Sequence, residues 1–155
     1  MQNRKAAHLL GRLFCAYFCH MFTIPSHAFQ VPIHVGESDI DALNHVNNTV
    51  YLRWVQDVAT AHWETLTTAT QRQQYWWVVR RHEIDYLRPC ILGDTITAYT
   101  WVHSAQGKAS DRIVVFQHNE TGKTIAQVKT TWILVDPATQ RGTTIPKELL
   151  RSLGL

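Results

Sequence analysis

The change of hydrophobic period near Thr70 constrains this chain more than any other feature. Before it, Val50, Trp54, Val58, Ala61 and Thr65 recur at helical spacing, flanked by Tyr51, Val55, His62 and Leu66. That pattern predicts an amphipathic helix of about 17 residues with a broad apolar stripe. After it, residues 75–87, 94–104, 110–119 and 123–135 are each rich in Val, Ile, Thr, Tyr and Trp, as strands are. Turn chemistry separates them: residues 88–93, then Ala105-Gln106-Gly107-Lys108, then Glu120-Thr121-Gly122. Connections this short cannot make parallel crossovers, so the last three strands form an antiparallel meander. Upstream, residues 29–36 alternate, with Val31, Ile33 and Val35 on one face, and Pro32 marks an edge strand or a bulge. A short terminal helix starts near Ile145-Pro146. The order β-α-β-β-β-β gives an α+β fold, one long helix against one strongly curved antiparallel sheet.

Size and charge narrow the function classes. With 155 residues the chain is one domain with room for a core, and 45% hydrophobic against 17% charged residues excludes disorder. The net charge of +3 resides in Arg4, Lys5 and Arg12, because basic and acidic residues balance at 12 each from Met21 onward. A neutral body argues against nucleic acid as a partner, since binding a phosphate backbone needs a basic surface. Cys15, Cys19 and Cys90 form no disulfide framework, which fits a reducing compartment. Cys15, Cys19 and His20 do not make a zinc site, because no second ligand pair follows at finger spacing. The other histidines lack paired metal-ligand spacing, so neither a metal nor a cofactor is expected.

Residues 1–28 read as an extension ahead of a folded domain at 29–155. Basic residues precede a twelve-residue apolar run at 13–24, and Ser26-His27-Ala28 has the form of a small-x-small cleavage site. The run is diluted by Tyr17, His20 and two cysteines, and it is too short to span a bilayer, which takes about 20 residues. A secretory signal, a translation start at Met21 and an amphipathic surface helix are the three readings of it.

Between the first strand and the helix, residues 39–51 gather two carboxylates, an imidazole and three side-chain amides. Asp41 offers a nucleophile or a base for water, and the helix N-terminus near Asn48 offers outward N–H groups and a dipole that favours negative charge. Together these suit attack on a thioester, whose thiolate leaving group has a pKa near about 8.5 and needs little protonation. Each residue has a plainer reading. Asp41 could cap a turn, Asn47, Asn48 and Thr49 are ordinary N-cap types, and Tyr51 and Trp54 at helical spacing suit a core. His45 could orient the loop, contact substrate or share base duty. Arg53 and Asp57 are spaced for an i,i+4 ion pair on the outer helix face.

The stretch Asp39-x-Asp41-x-x-x-His45-Val46-Asn47-Asn48-x-x-Tyr51-Leu52-x-Trp54 resembles the signature shared by hotdog-fold acyl-CoA thioesterases and plant acyl-carrier-protein thioesterases. A second stretch, Ile84-Asp85-Tyr86-Leu87-Arg88-Pro89 with Gly93-Asp94, is similar to the family's strand, loop and strand turn. The resemblance covers roughly residues 29–150 by strand pattern. Asn44 departs from the glycine common in bacterial members and matches the amide of the plant type. What the resemblance implies is a hotdog fold that hydrolyses acyl-CoA to the acid and coenzyme A. Asp41 would be its catalytic carboxylate and the backbone amide of Asn48 its oxyanion donor, with His45, Tyr51 and Arg88 as substrate contacts. Arg112, Lys129 and Arg141 are further candidates for the coenzyme A phosphates, and Trp54, Trp76 and Trp77 for the acyl pocket. A cytoplasmic homodimer or homotetramer without stable membrane insertion is expected, since a lone curved sheet leaves an edge open. The alternatives are a carrier-protein thioesterase, a hotdog dehydratase or hydratase, and a non-catalytic acyl-CoA-binding module.

Overall fold

The computed structural model describes residues 21–155. Strand β1 (Phe29–His34) leads through a 3-10 turn (Glu37–Asp39) and a polar loop into helix α1 (Asn48–Leu66). A short helix α2 (Ala69–Gln74) follows, then β2 (Trp76–Tyr86), β3 (Thr95–Gln106), β4 (Ala109–His118), β5 (Thr124–Asp136), a two-residue β6 (Arg141–Gly142) and α3 (Lys147–Ser152). The sheet order is β1-β3-β4-β5-β2, antiparallel throughout, with β6 added beside β5. The β3-β4-β5 meander is as the turn lengths require, and Pro32 lies on an edge strand. Sequence alone did not give α2, whose Thr68 cap and Gln71 close a reciprocal capping box. Nor did it give the position of β2, which crosses to the far edge and pairs only with β5.

Alternation along the strands turns one face of the sheet toward α1. Ile96 and Ala98 from β3, Val114 and Phe116 from β4, and Ala126 and Val128 from β5 meet Val50, Tyr51, Trp54, Val55 and Val58 of the helix in one buried cluster. Residues one step out of phase, Trp101, Ile113 and Val115, line the opposite face, where Phe22, Ile24 and Ala28 cover them. The Phe22 N–H also donates to the Gln127 side chain at 3.1 Å, so described residues ahead of β1 pack on the sheet. Residues 1–20, with the signal-like basic and apolar run, lie outside the described residues. No helix among the described residues is long and apolar enough to cross a membrane.

The turn between β2 and β3 is pinned by one carboxylate. Asp94 accepts from the Ile91 N–H at 2.9 Å and the Cys90 thiol at 3.3 Å, and its other oxygen lies 3.5 Å from His118 Nε2. Its backbone carbonyl takes the Val35 N–H, and the neighbouring Cys90 carbonyl takes that of Val46. Asp94 therefore ties the end of β1, the polar loop and the sheet together. Burial raises its carboxyl, but the Ile91 N–H, the Cys90 thiol and His118 outweigh burial and hold it below its ordinary value.

Two stability outcomes are expected. Phe116→Ala empties a fully buried ring site and should cost about 3–5 kcal/mol in urea unfolding. Because the folded Asp94 pKa lies below the unfolded one, its contribution is complete above the unfolded value near about 3.9 and fades as pH falls through the folded one. Urea midpoints followed downward from pH 5 should fall less steeply for Asp94→Asn than for the parent chain.

Candidate active site

The polar loop is built around Asp39. Its buried carboxylate accepts the Gly36 N–H at 3.0 Å and pairs with the Arg53 guanidinium, while its carbonyl takes the Asn47 N–H. Arg53 thus reaches back to the loop rather than forward to Asp57, which corrects the expected i,i+4 pair. A partly buried carboxylate fixed by a guanidinium and an N–H is a stronger partner than a second solvated acid one turn away. From there the chain makes a tight return, with Ile40 and Val46 bridged and the Asp41 N–H donating to the His45 carbonyl at 2.8 Å. Asn44 sits at the tip with φ +60, a conformation that an Asn side chain tolerates. That is the physical meaning of the amide at this position.

Asp41 is half-buried beside the return. Its Oδ1 accepts the Leu43 N–H at 2.8 Å and the His45 N–H at 3.4 Å, the turn-capping geometry of an Asx residue. Its Oδ2 has no partner among the described residues. The turn thus fixes the carboxylate while leaving one oxygen for chemistry. His45 is exposed and joins the loop through its backbone, its imidazole meeting no hydrogen-bond partner among the described residues.

At the start of α1 the N-cap is Asn47, one of the three candidates that sequence left equal. Its side chain accepts from both the Thr49 N–H (2.9 Å) and the Thr49 hydroxyl (2.7 Å). The Val50 N–H goes to the Asn47 carbonyl. Among the described residues the Asn48 N–H meets no acceptor, as the first amide of a helix does when nothing caps it. The Asn48 carbonyl accepts from the Tyr86 hydroxyl at 2.9 Å, which anchors the helix start to the end of β2.

The remaining candidates scatter. Tyr51 is 3% exposed and sits in the core, edge-on to Trp54, Tyr86 and Phe116, and burial pushes its phenol well above the ordinary value. Trp54 is likewise core, a correction to its place in the acyl pocket. Arg88 is exposed at the β2–β3 turn and donates to the Thr124 carbonyl at 2.5 Å. Lys129 pairs with Asp111 at 3.2 Å, and Arg141 is exposed on β6. Arg112 corrects the expectation of a surface phosphate contact, because it is 6% exposed beneath α1. The alternation that puts Val114 and Phe116 in the core puts Arg112 on the same face, a signal readable in the sequence. Cys90 is no nucleophile: burial first, then the bond to Asp94 and its charge, push its thiol up to about 12. Among the described residues no His, Cys, Asp and Glu cluster could hold a metal.

A cavity of about 280 Å³ opens farther along α1, between that helix and the start of β2. Trp76 and Trp77 line it, joined by Trp63, Tyr75 and Trp132, which sequence reasoning did not single out.

Comparisons with known proteins place these features. Residues 35–153 match the Thioesterase-like superfamily. The chain is 28% identical over 131 residues to the long-chain acyl-CoA thioesterase FadM of Escherichia coli (strain K12), covering 80% of this chain and 96% of that protein. The crystal structure of YbaW, a probable thioesterase from Escherichia coli, superposes with a TM-score of 0.73 at 26% identity over 80% of this chain and 95% of that one. A thioesterase from Thermus thermophilus complexed with coenzyme A and Zn shares the fold, with a TM-score of 0.72 at 22% identity over 86% and 94% of the two chains. A matched superfamily spanning most of the chain, on a curved sheet wrapped about one long helix, makes this protein a hotdog-fold thioesterase of the Thioesterase-like superfamily.

Proposed function

We propose that the chain hydrolyses acyl-CoA thioesters to the free acid and coenzyme A, with Asp41 and the Asn48 amide as its reacting centre. The observation that carries this reading is that one Asp41 oxygen and the N–H at the first residue of α1, at the two ends of one short loop, both lack a partner among the described residues. Water attacks the thioester carbonyl carbon while Asp41 accepts its proton; attack by Asp41 itself, followed by hydrolysis of the anhydride, gives the same products. The carbonyl oxygen becomes an oxyanion, which the Asn48 N–H and the helix dipole stabilise. The carbon–sulfur bond then breaks, and coenzyme A leaves as a thiolate that the solvent protonates. The long-chain acyl-CoA thioesterase relative supports the substrate class. A hydratase would need an imidazole held in register with its substrate, and the backbone-only anchoring of His45 gives that reading no support. Arg88, beside the same turn, is available to a coenzyme A phosphate.

The working unit in this reading is a homodimer or a dimer of dimers. Among the described residues strand β2 pairs on one side only, with Trp76 (50%), Val78 (51%) and Tyr86 (44%) exposed along it. A second copy would pair this open edge and cover its exposed apolar side chains. The N-terminal 28 residues belong to an extension in this reading, and the site works in the cytoplasm, where coenzyme A thioesters form.

Thiol release from a panel of acyl-CoAs tests the chemistry. Wild type should release coenzyme A and Asp41→Asn should lose about 10²-fold or more in kcat with its fold intact, whereas an equally active Asn variant would remove Asp41 from the mechanism. Light scattering at micromolar concentration should give at least twice the 17.9 kDa chain mass, and a monomer would contradict the assembly.

A further inference from the structure

The helix-facing side of the sheet is apolar under the first half of α1 and then changes character. Strand register sets Val102, Arg112, Thr130 and His82 side by side across β3, β4, β5 and β2. Of these, Val102, Arg112 and Thr130 are buried, and Arg112 is the charged member of the row. One guanidinium nitrogen meets His62 Nδ1 at 2.8 Å and the Thr100 hydroxyl at 3.1 Å. His62 stacks on Phe29 and is held neutral, because burial first, and then the charges of Arg112 and His27, lower its pKa to about 4. It therefore accepts from Arg112 without offsetting the charge. No carboxylate among the described residues pairs with Arg112, and Asp111, its neighbour in sequence, faces the other way toward Lys129 and Thr131. Residues 1–20 contain no Asp or Glu. A buried cation without a counterion is costly, so its retention calls for an explanation.

Arg112 lines the aromatic cavity, and so does Trp132, which carries an unmatched donor. The indole Nε1 of Trp132 is buried and has no hydrogen-bond partner among the described residues, although Trp132 is only 8% exposed. Arg112 is the one charged residue on the cavity wall, Gln56, Thr60 and Ser110 add polar groups, and Trp63, Tyr75, Trp76 and Trp77 supply most of the rest. The fitting occupant brings lone pairs and one negative charge on an apolar body. A carboxylate does so and matches the single guanidinium charge, whereas a terminal phosphate monoester brings up to two charges. The cavity begins near Gln56, about 12 Å along α1 from Asn48 at the helix rise of 1.5 Å per residue, so within one chain only a long acyl group joins the two.

Resting on the thioesterase reading above, we infer that this cavity receives the far end of the acyl group, where Arg112 and the Trp132 N–H bind a terminal carboxylate. The chain is then selective for thioesters of long dicarboxylic acids over plain fatty acyl thioesters. Arg112 determines specificity and takes no part in bond breaking.

The test compares kcat/KM for hexadecanedioyl-CoA, as the mono-thioester, with that for hexadecanoyl-CoA, in wild type, Arg112→Met and Trp132→Phe, each checked for folding by thermal melt. The wild-type ratio should favour the carboxylate by about tenfold or more, fall to one or below in Arg112→Met, and fall by about threefold in Trp132→Phe, which keeps the ring and loses the donor. A wild-type ratio at or below one overturns the inference while leaving the thioesterase reading standing, and so does a ratio that neither variant changes. If Arg112→Met does not fold, Trp132→Phe decides alone. If wild type cleaves neither thioester, the hydrolase reading fails, and tryptophan fluorescence tests the cavity without it. Saturable quenching by the monomethyl ester of hexadecanedioic acid but not by its dimethyl ester supports the carboxylate site; no quenching, or equal quenching by both, overturns it.

Discussion

Burial of the α1 stripe against the concave side of the sheet is the constraint on which the rest depends. Val55, Val58, Phe116, Val114 and Val128 are each at or near complete burial in that contact, while Leu149 of α3 and Leu153, which ends it, pack only beyond it, beside Trp63 and Leu66. Once the stripe is seated, the start of the helix has a fixed height and rotation over the sheet. The Tyr86 hydroxyl on the Asn48 carbonyl and the Asp39 carboxylate on Arg53 then hold that end from two sides. The helix is therefore both the core of the molecule and the rigid mount for the polar loop of the proposed site, so that a turn can keep its geometry.

The parts of this architecture legible in the sequence are those written as periodicity. Val50, Trp54 and Val58 announced the helix, and the alternation within residues 110–119 and 123–135 announced strands that do pair as neighbours. What periodicity does not encode is long-range placement. Residues 75–87 read as a strand, but nothing local says that it lies beside β5 rather than β3, because that choice is made by the helix and loop that carry the chain across the sheet. The α2 helix was hidden for the opposite reason. Its six residues carry no apolar stripe, and it is held by the Thr68 cap and by Arg72 donating to the Thr67 carbonyl.

Local chemistry of the loop was legible as a set of residue types and not as assignments. Asn47, Asn48 and Thr49 are equivalent by propensity, and only the hydrogen bonds divide them into a cap, an unoccupied amide and a capped amide. Arg53 had a partner at correct spacing in Asp57 and another fourteen residues upstream in Asp39, and tertiary contact won. Arg112 shows how a compositional prior misleads. Arginine is rarely buried, so the sequence reading put it outside, although its phase with Val114 and Phe116 put it within.

The two edges of the sheet are unlike, and this limits how copies of the chain can add to one another. The β1 edge carries Pro32, which has no N–H to offer a further strand, while the β2 edge is unpaired along its length, with Arg80 and Arg81 flanking its bulge. Growth by head-to-tail stacking would need β1 of one molecule to dock on β2 of the next, and the proline blunts one half of that contact. Were β2 to pair with its own copy, the assembly would end in two β1 edges, each carrying a proline. Edges this unlike favour closed pairing over open-ended growth.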